Sequence, residues 1–168
     1  MEHGFDGSSI LVVGGAGFVG SNLVRALLSA DSALVTVIDN LLSSEKENLP
    51  EDPRLRFWRG SIADDAVLAK VEDEYDYIFH LATFHGNQNS IHDPLRDHQN
   101  NTLTTLKLFE RIKGFKRLQK VVYSSAGCSV AKKTFGDAEA TTEESPIEIR
   151  QDSPYSISKI IGEFYSVY

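Results

Sequence analysis

The sequence predicts an α/β domain built on a doubly wound parallel sheet, with helices on both faces. Three observations support this fold class. Short apolar segments rich in β-branched residues alternate with longer segments of helical periodicity. A glycine-rich turn, GGAGFVG, joins the first such pair. No internal repeat or low-complexity linker interrupts the order, so we expect residues 1–168 to form one domain.

Each element of the predicted order has its own signal in the sequence. Residues 8–14 are short, apolar and β-branched, as is typical of a buried strand. Residues 18–30 carry a helical stripe of leucine and valine. The other predicted strands are 34–39, 55–60, 75–82 and 120–125, the other predicted helices are 64–72, 94–113 and 153–168, and 126–152 is a polar loop.

Composition and charge narrow the class of protein. Apolar residues make up 41% of the chain, and the formal net charge of −7 argues against nucleic acid as a partner. The polar, acidic N-terminus is not a signal peptide, and no apolar run is long enough to span a membrane. The single cysteine, Cys128, excludes an intrachain disulfide and suits a reducing compartment. We therefore expect a cytoplasmic protein with no membrane partner.

The turn after the first strand carries glycines at Gly14, Gly17 and Gly20. One glycine lets the chain turn tightly, one lets a ligand approach the backbone, and one lets the helix pack closely on the strand. The helix N-terminus then offers free N–H groups and a partial positive charge to a pyrophosphate. The strand before the turn and the helix after it favour dinucleotide binding over a merely tight connection.

The second predicted strand ends in Asp39, nineteen residues after Gly20. A carboxylate there can accept hydrogen bonds from both ribose hydroxyls of adenosine and would repel a 2′-phosphate. No arginine or lysine follows immediately in NLLSS. The sequence therefore predicts NAD over NADP; the alternative is an acid that only closes a strand-end turn.

The last predicted helix begins with SPYSISK, which places Tyr155 and Lys159 four residues apart on one helix face. A phenol with its ordinary pKa of about 10 is a poor base at neutral pH. A nearby ammonium group and a positively charged nicotinamide would both lower the pKa of Tyr155 toward the working pH. The pair is therefore a candidate acid/base site.

Six segments of this chain, in order, resemble the extended short-chain dehydrogenase/reductases, in particular the NAD-dependent epimerase/dehydratase family of nucleotide-sugar enzymes. The segments are GGAGFVG, VIDNL, HLAT, NNTLTTL, VVYSSAG and YSISK. The resemblance implies a Rossmann-type NAD-binding domain with NAD as the cofactor. It also implies Tyr155 as the acid/base, with Lys159 as its electrostatic partner and a ribose ligand.

The resemblance further implies which residues hold NAD. Asn101 would lie under the cofactor, and Ser124 would lie beside the nicotinamide. The full set implied for cofactor binding is Gly14, Gly17, Phe18, Val19, Gly20, Asp39, Asn40, Leu41, Ser61, Ile62, Leu81, Ala82, Thr83, Asn101, Ser124, Tyr155 and Lys159.

The sequence departs from the family pattern at three places. Ser61 stands at the adenine step, where the family often has Asp. Alignment of VVYSSAG puts Ala126 at the usual catalytic hydroxyl, so Ser125 is predicted as the catalytic serine, with Cys128 and Ser129 as alternatives. Family members resemble this chain over about half their length, so we expect the chain to lack the C-terminal substrate domain.

The family's 4,6-dehydratases carry Asp-Glu where this chain has Ala126 and Gly127, which disfavours dehydration. The resulting prediction is an NAD-dependent nucleotide-sugar epimerase that acts at C4 through a 4-keto intermediate. Alternatives are a dehydratase, dehydrogenase or decarboxylase of the same family, or a non-catalytic NAD-binding protein. The resemblance also implies a homodimer through helices 94–113 and 153–168, both of which carry more apolar side chains than one sheet-facing stripe requires. The alternative is that the extra apolar face packs on the expected C-terminal half.

The histidines do not predict a metal site, because no cysteine or carboxylate accompanies them at metal-ligand spacing. His80 is expected to pack at the end of its strand. His85, with Asn87 and Gln88, follows that strand and is a candidate substrate contact.

Overall fold

The computed structural model describes residues 4–84, 86–129, 142, 144–147 and 149–168, and a five-stranded parallel sheet forms its centre. The spatial order of the strands is β3-β2-β1-β4-β5. All five predicted strands are present. Their bounds are β1 (Ser9–Val13), β2 (Leu34–Asp39), β3 (Leu55–Arg59), β4 (Tyr77–His80) and β5 (Lys120–Tyr123). His85 and the side chain of Ser129 lie outside the described residues.

Six α-helices connect or flank these strands in the described part of the chain. They are α1 (Phe18–Ser29), α2 (Asp65–Leu68), α3 (Asn87–His92), α4 (Pro94–Asp97), α5 (Thr104–Ile112) and α6 (Pro154–Val167). The predicted long helix is a continuous run in which a π-helical segment, His98–Leu103, joins α4 to α5. None of the described helices combines the length and hydropathy that crossing a bilayer requires.

The sequence predicts no helix between the strand at 75–82 and residue 94, and the structure corrects this, because α3 lies at Asn87–His92. The segment has no apolar stripe, so its periodicity carries no helical signal. Contacts with α6 hold it instead. Ser90 Oγ accepts a hydrogen bond from Tyr155 N at 3.1 Å, and Asn87 Oδ1 accepts one from Ser153 Oγ at 3.1 Å. Tertiary contact, rather than local pattern, therefore forms this helix.

Two apolar clusters cover opposite faces of the sheet. Leu11 and Val13 of β1 pack with α2 and α5 on one face, whereas Ile10 and Val12 pack with α1 on the other. Successive side chains of a strand point to opposite faces, so a central strand covered on both sides is apolar throughout. This packing confirms the doubly wound class. It also leaves the carboxyl ends of the strands open at one edge, where ligands bind in such folds.

Candidate cofactor and active site

A cleft of about 380 Å³ opens at the carboxyl ends of β1, β2, β3 and β4. It brings together most of the residues predicted to hold the cofactor. The predicted residues that line it are Gly14, Gly17, Phe18, Val19, Gly20, Asp39, Asn40, Ser61, Ile62, Leu81, Ala82 and Thr83. The predicted residues outside its lining are Leu41, Asn101, Ser124, Tyr155 and Lys159.

The cleft also contains residues that the sequence analysis missed. They are Val13, Ile38, Leu42, Ser43, Ser44, Gly60, Phe84, Asn100 and Thr104. Most of them adjoin a predicted residue at a strand end, and this adjacency is the signal that could have found them. Asn100 and Thr104 lie on the helical run instead, in the segment NNTLTTL, from which the resemblance implied only Asn101.

The three glycines of the turn have separate structural roles. Gly14 has φ of +85°, and a Cβ there would lie 2.5 Å from Ala82 N, so this position requires glycine. A Cβ on Gly20 would lie 2.3 Å from Gly14 O, so the start of α1 packs directly on the turn. A Cβ on Gly17 would meet only Gly14 O, at 3.5 Å, which leaves its cleft side open to a ligand.

The N-terminus of α1 provides an uncapped set of N–H groups. Its N-cap is Gly17, no side chain caps it, and the first turn contains no acid. The first N–H groups of a helix have no partner within the helix. Phe18 is 87% exposed and leaves this end accessible from the cleft. The helix end therefore suits an anion such as a pyrophosphate.

Asp39 already bonds to the protein at both carboxylate oxygens. Oδ2 accepts from Ala16 N at 2.9 Å, and Oδ1 accepts from Leu41 N at 2.9 Å and from Ser44 Oγ at 3.0 Å. A carboxylate offers about four acceptor positions, so accepting both ribose hydroxyls requires Ser44 to turn away. Leu41, at φ of +59°, meets Asp39 through its backbone and does not line the cleft.

Lys159 is buried at the end of β5. Its Nζ donates to Ser124 O at 2.7 Å and lies 5.0 Å from the centre of the Tyr123 ring. Burial lowers the pKa of Lys159 to about 8, and electrostatic interactions with Cys128 and Asp97 partly oppose this shift. The predicted residues Ser124 and Lys159 are therefore in direct contact, through the backbone carbonyl of Ser124.

Tyr155 lies at the first turn of α6 and is half-buried. Burial raises the pKa of its phenol, and a hydrogen bond with Thr83 partly opposes the shift. The prediction that Lys159 lowers this pKa is wrong for the protein alone. The Lys159 amine is directed at Ser124 O, and the loss of hydration dominates at Tyr155.

Ser125, the predicted catalytic serine, contacts α6. Its Oγ donates to Glu163 Oε1, a residue that the sequence analysis did not single out although it follows Lys159 by one helical turn. Cys128, one of the alternatives, lies close enough to influence the pKa of both Tyr155 and Lys159.

Asn101 is buried and bonds to the loop that follows β4. Its Oδ1 accepts from Phe84 N at 2.6 Å and from Thr83 Oγ1 at 3.2 Å. Its Nδ2 donates to Asp97 Oδ1 at 2.7 Å. Hydrogen bonds of Asn101 therefore connect the π-helical segment to the loop after β4, which carries the cleft residues Thr83 and Phe84.

His80 is fully buried beside these residues. Burial lowers its pKa to about 3, so the imidazole is neutral, and Nε2 lies 3.0 Å from Thr105 Oγ1. Over the part of the chain that the structure describes, no group of three or more His, Cys, Asp or Glu side chains could hold a metal ion.

A glycine turn, an uncapped helix N-terminus and an acid at the end of β2 define a dinucleotide-binding α/β protein. Tyr155, half-buried at the first turn of α6, and Lys159, buried on Ser124 O, lie on one helix near this cleft. The family model for the NAD dependent epimerase/dehydratase family matches residues 10–168. The chain belongs to this family of enzymes, and the predicted fold class, enzyme class and cofactor are those of the family.

Individual relatives share this region. A UDP-glucose 4-epimerase of Lacticaseibacillus casei is 34% identical over 157 residues, which are 92% of this chain and 45% of the relative. The Bordetella bronchiseptica enzyme WbmF in complex with NAD+ is 58% identical, with a TM-score of 0.81 over 98% of this chain and 46% of that one. The epimerase Mth375 of Methanothermobacter thermautotrophicus is 41% identical, with a TM-score of 0.88 over 97% of this chain and 47% of that one. The chain spans about half the length of these relatives.

Proposed function

We propose that the natural protein carrying this sequence is an NAD-dependent epimerase that acts at C4 of a UDP-linked hexose, with Tyr155 as the acid/base. The observation that carries the proposal is that the Tyr155 phenol lies close enough to Thr83, a residue of the cleft lining, for Thr83 to lower its pKa. A phenol therefore lies at one end of a dinucleotide site. The relatives support the substrate class, since they include UDP-glucose 4-epimerases and a WbmF complex with NAD+ and UDP.

The residues of the cleft fit NAD. Gly17 and the N-terminus of α1 would hold the pyrophosphate, and Asp39 would hold the adenosine ribose once Ser44 turns away. Ser61 and Ile62 line the cleft where the adenine is expected. When bound, NAD supplies the electron acceptor for oxidation of the sugar carbon. The protein supplies position, electrostatics and proton transfer.

Proton transfer falls to Tyr155 in this proposal. Its phenolate oxygen takes the proton of the sugar 4-hydroxyl as that carbon becomes a ketone, and returns it when the ketone is reduced on its other face. The buried phenol alone has a raised pKa, so the positive charge of the cofactor is what brings it into its working range. Lys159, fixed on Ser124 O, contributes a buried amine near this site.

The experiment that tests the function is incubation of the natural protein with a panel of UDP-hexoses, followed by chromatography of the products. We expect the C4 epimer and no net consumption of NAD. A 4-keto-6-deoxy sugar would indicate a dehydratase, and a uronic acid a dehydrogenase. Binding of NAD with no turnover of UDP-, GDP-, CDP- or dTDP-sugars would indicate a non-catalytic protein.

The Asp39 carboxylate predicts a preference for NAD over NADP. The carboxylate would repel the 2′-phosphate of NADP. Calorimetry should therefore show that NAD binds at least about tenfold more tightly than NADP, a difference of ~1.4 kcal/mol in binding free energy. Asp39→Asn should narrow the difference. Asp31→Asn, which removes the same charge at an exposed site outside the cleft, should not. Tighter binding of NADP to the unaltered protein would contradict the assignment.

We further propose a homodimer in which α5 and α6 of one subunit pack against the same helices of the other. The two helices lie side by side, and Leu108 and Ile112 are buried against the sheet. Leu106, Ile157 and Phe164 remain exposed on the same pair, the last by 58%. An apolar surface shared by two adjacent helices suits an isologous interface between copies of the chain.

Phe164→Asp should convert the dimer to a monomer, measured by sedimentation of the natural protein at tens of micromolar. Phe109 of α5 is a poorer probe, because it packs against the core cluster and Tyr123. Ile149→Asp is the control, because Ile149 is fully exposed and outside both helices. If the natural protein sedimented as a monomer, the proposed dimer would be wrong.

A further inference from the structure

The short helix α3 is polar, and the residue that it buries is a serine. All six residues of α3 are described, and among them only Ser90 is buried, with 0% exposure. Helices in proteins are ordinarily held by apolar side chains, and a buried hydroxyl is costly unless it is hydrogen-bonded. The hydrogen bonds of Ser90 therefore account for its burial, and they indicate what α3 holds in place.

The Ser90 hydroxyl bonds to its own helix and to α6. Its Oγ donates to Asn87 O at 2.8 Å, which uses the one proton of the hydroxyl within α3. The lone pairs remain free to accept, and Tyr155 N donates to Ser90 Oγ at 3.1 Å. The bond within α3 thus keeps the oxygen oriented as an acceptor for the Tyr155 backbone.

The N–H group of Tyr155 belongs to the first turn of α6, where N–H groups have no partner within the helix. Pro154 has no N–H, and the N-cap Ser153 accepts from Ser156 N at 3.2 Å. Tyr155 N lies between these two positions, and Ser90 of another helix is its acceptor. The bond therefore fixes, relative to α3, the backbone of the residue that carries the phenol.

The helix α3 is in turn attached to the wall of the cleft. Phe84 lines the cleft, and Gly86, two residues later, is the N-cap of α3. Ser90 N donates to Gly86 O at 3.3 Å. A short path of backbone and two hydrogen bonds thus connects the cleft wall to Tyr155.

A second hydrogen bond joins the same two helices, but it does not reach Tyr155. Ser153 Oγ donates to Asn87 Oδ1 at 3.1 Å. The same hydroxyl lies 3.0 Å from Ser156 Oγ and has one proton for both contacts. The bond from Ser90 is therefore the contact of α3 that acts on Tyr155 itself.

We propose that Ser90 is a positioning residue for Tyr155, through which α3 sets the place of the phenol relative to the cofactor cleft. The inference rests on the proposed function, in which Tyr155 is the acid/base. Proton transfer requires the phenol oxygen to lie within hydrogen-bond reach of a sugar that is itself held against the cleft. Without the Ser90 oxygen, Tyr155 N loses its acceptor on α3, and the first turn of α6 can shift together with the phenol.

The test compares Ser90→Ala with Ser32→Ala in the natural protein. Ser32 is also 0% exposed, its Oγ donates to Leu27 O at 2.9 Å, and it lies outside the cleft lining. Each variant removes one buried hydroxyl that donates to a nearby carbonyl, so both should lower the midpoint of thermal unfolding. Only Ser90→Ala should reduce kcat, by about tenfold, while KM for the sugar and the affinity for NAD stay within about threefold.

A second measurement needs no sugar. Ultraviolet titration of the protein without NAD, taken as a difference against the same protein with Tyr155→Phe, reports the pKa of Tyr155. Burial raises this pKa. In Ser90→Ala a less firmly held phenol becomes more hydrated, so its pKa should fall toward the ordinary value of about 10. The pKa should not change in Ser32→Ala.

An unchanged pKa of Tyr155 in Ser90→Ala would overturn the proposal. Equal losses of kcat in Ser90→Ala and Ser32→Ala would also overturn it, because they would indicate general destabilisation. If Ser90→Ala does not fold, Ser90→Cys replaces it, since a thiol is of similar size but is a weak acceptor, and kcat and the pKa should change in the same directions. The titration tests Ser90 even if no UDP-hexose is turned over, so the two proposals can fail separately.

Discussion

Tyr155→Phe should reduce turnover of the UDP-hexose by about 10²- to 10⁴-fold, the usual contribution of a general acid/base. The substitution removes only the phenol oxygen. The first turn of α6 is held by backbone contacts, such as Tyr155 N to Ser90 Oγ, that phenylalanine keeps. The dinucleotide cleft, whose lining excludes Tyr155, is unchanged. Calorimetry should therefore show an affinity for NAD within about threefold of the unaltered protein, because no pyrophosphate or ribose contact in the cleft is lost.

The matched control is Tyr165→Phe, the same change on the same helix at a residue outside the cleft. It should leave both turnover and NAD affinity unaltered. If Tyr155→Phe kept turnover within about tenfold of the unaltered protein, Tyr155 would not be the acid/base. If the variant lost NAD binding in parallel with turnover, the phenol would have a binding role instead.

Most of the fold could be predicted because its signals are local. The buried strands are continuous apolar runs, and Ile10 to Val13 remain apolar because helices cover both faces of β1. The helix α3 could not be predicted, since its polar sequence is held by Ser153 and Tyr155 of a distant helix. The π-helical segment also has no sequence signal, although its wide turn sets which side chains of 98–103 face inward.

The parts of the site that could be predicted are those where the local geometry accepts only one type of residue. Gly14 and Gly20 occupy positions that a Cβ would block, and Asp39 ends β2 beside them. For the protein without its cofactor, the pKa of Tyr155 could not be predicted, because the sequence shows charges but not burial, and burial is the larger effect. Asp97 was missed for the same reason, since an acid near the start of a predicted helix is expected on its surface.

Gly14→Ala should lower the free energy of unfolding by about 2–5 kcal/mol, the combined cost of a strained left-handed backbone and an overpacked contact. Gly14 has φ of +85°, and its new Cβ would lie 2.5 Å from Ala82 N and 2.7 Å from Ala82 Cα. These are backbone atoms of the segment that follows β4, so neither can move without separating that segment from β1. The midpoint of thermal unfolding should fall by about 5–15 °C.

Gly17→Ala separates the ligand role of the same turn from its structural role. A Cβ at Gly17 makes only an ordinary contact with Gly14 O at 3.5 Å, and its φ of −68° suits any residue. Replacing a glycine N-cap by alanine costs about 1 kcal/mol or less, so stability should change little. The methyl group would instead occupy the cleft where the pyrophosphate approaches the backbone, and calorimetry should show NAD binding weakened by about tenfold or more. If Gly17→Ala bound NAD as tightly as the unaltered protein, the turn would not hold the pyrophosphate. If Gly14→Ala were as stable as the unaltered protein, the turn would not require glycine.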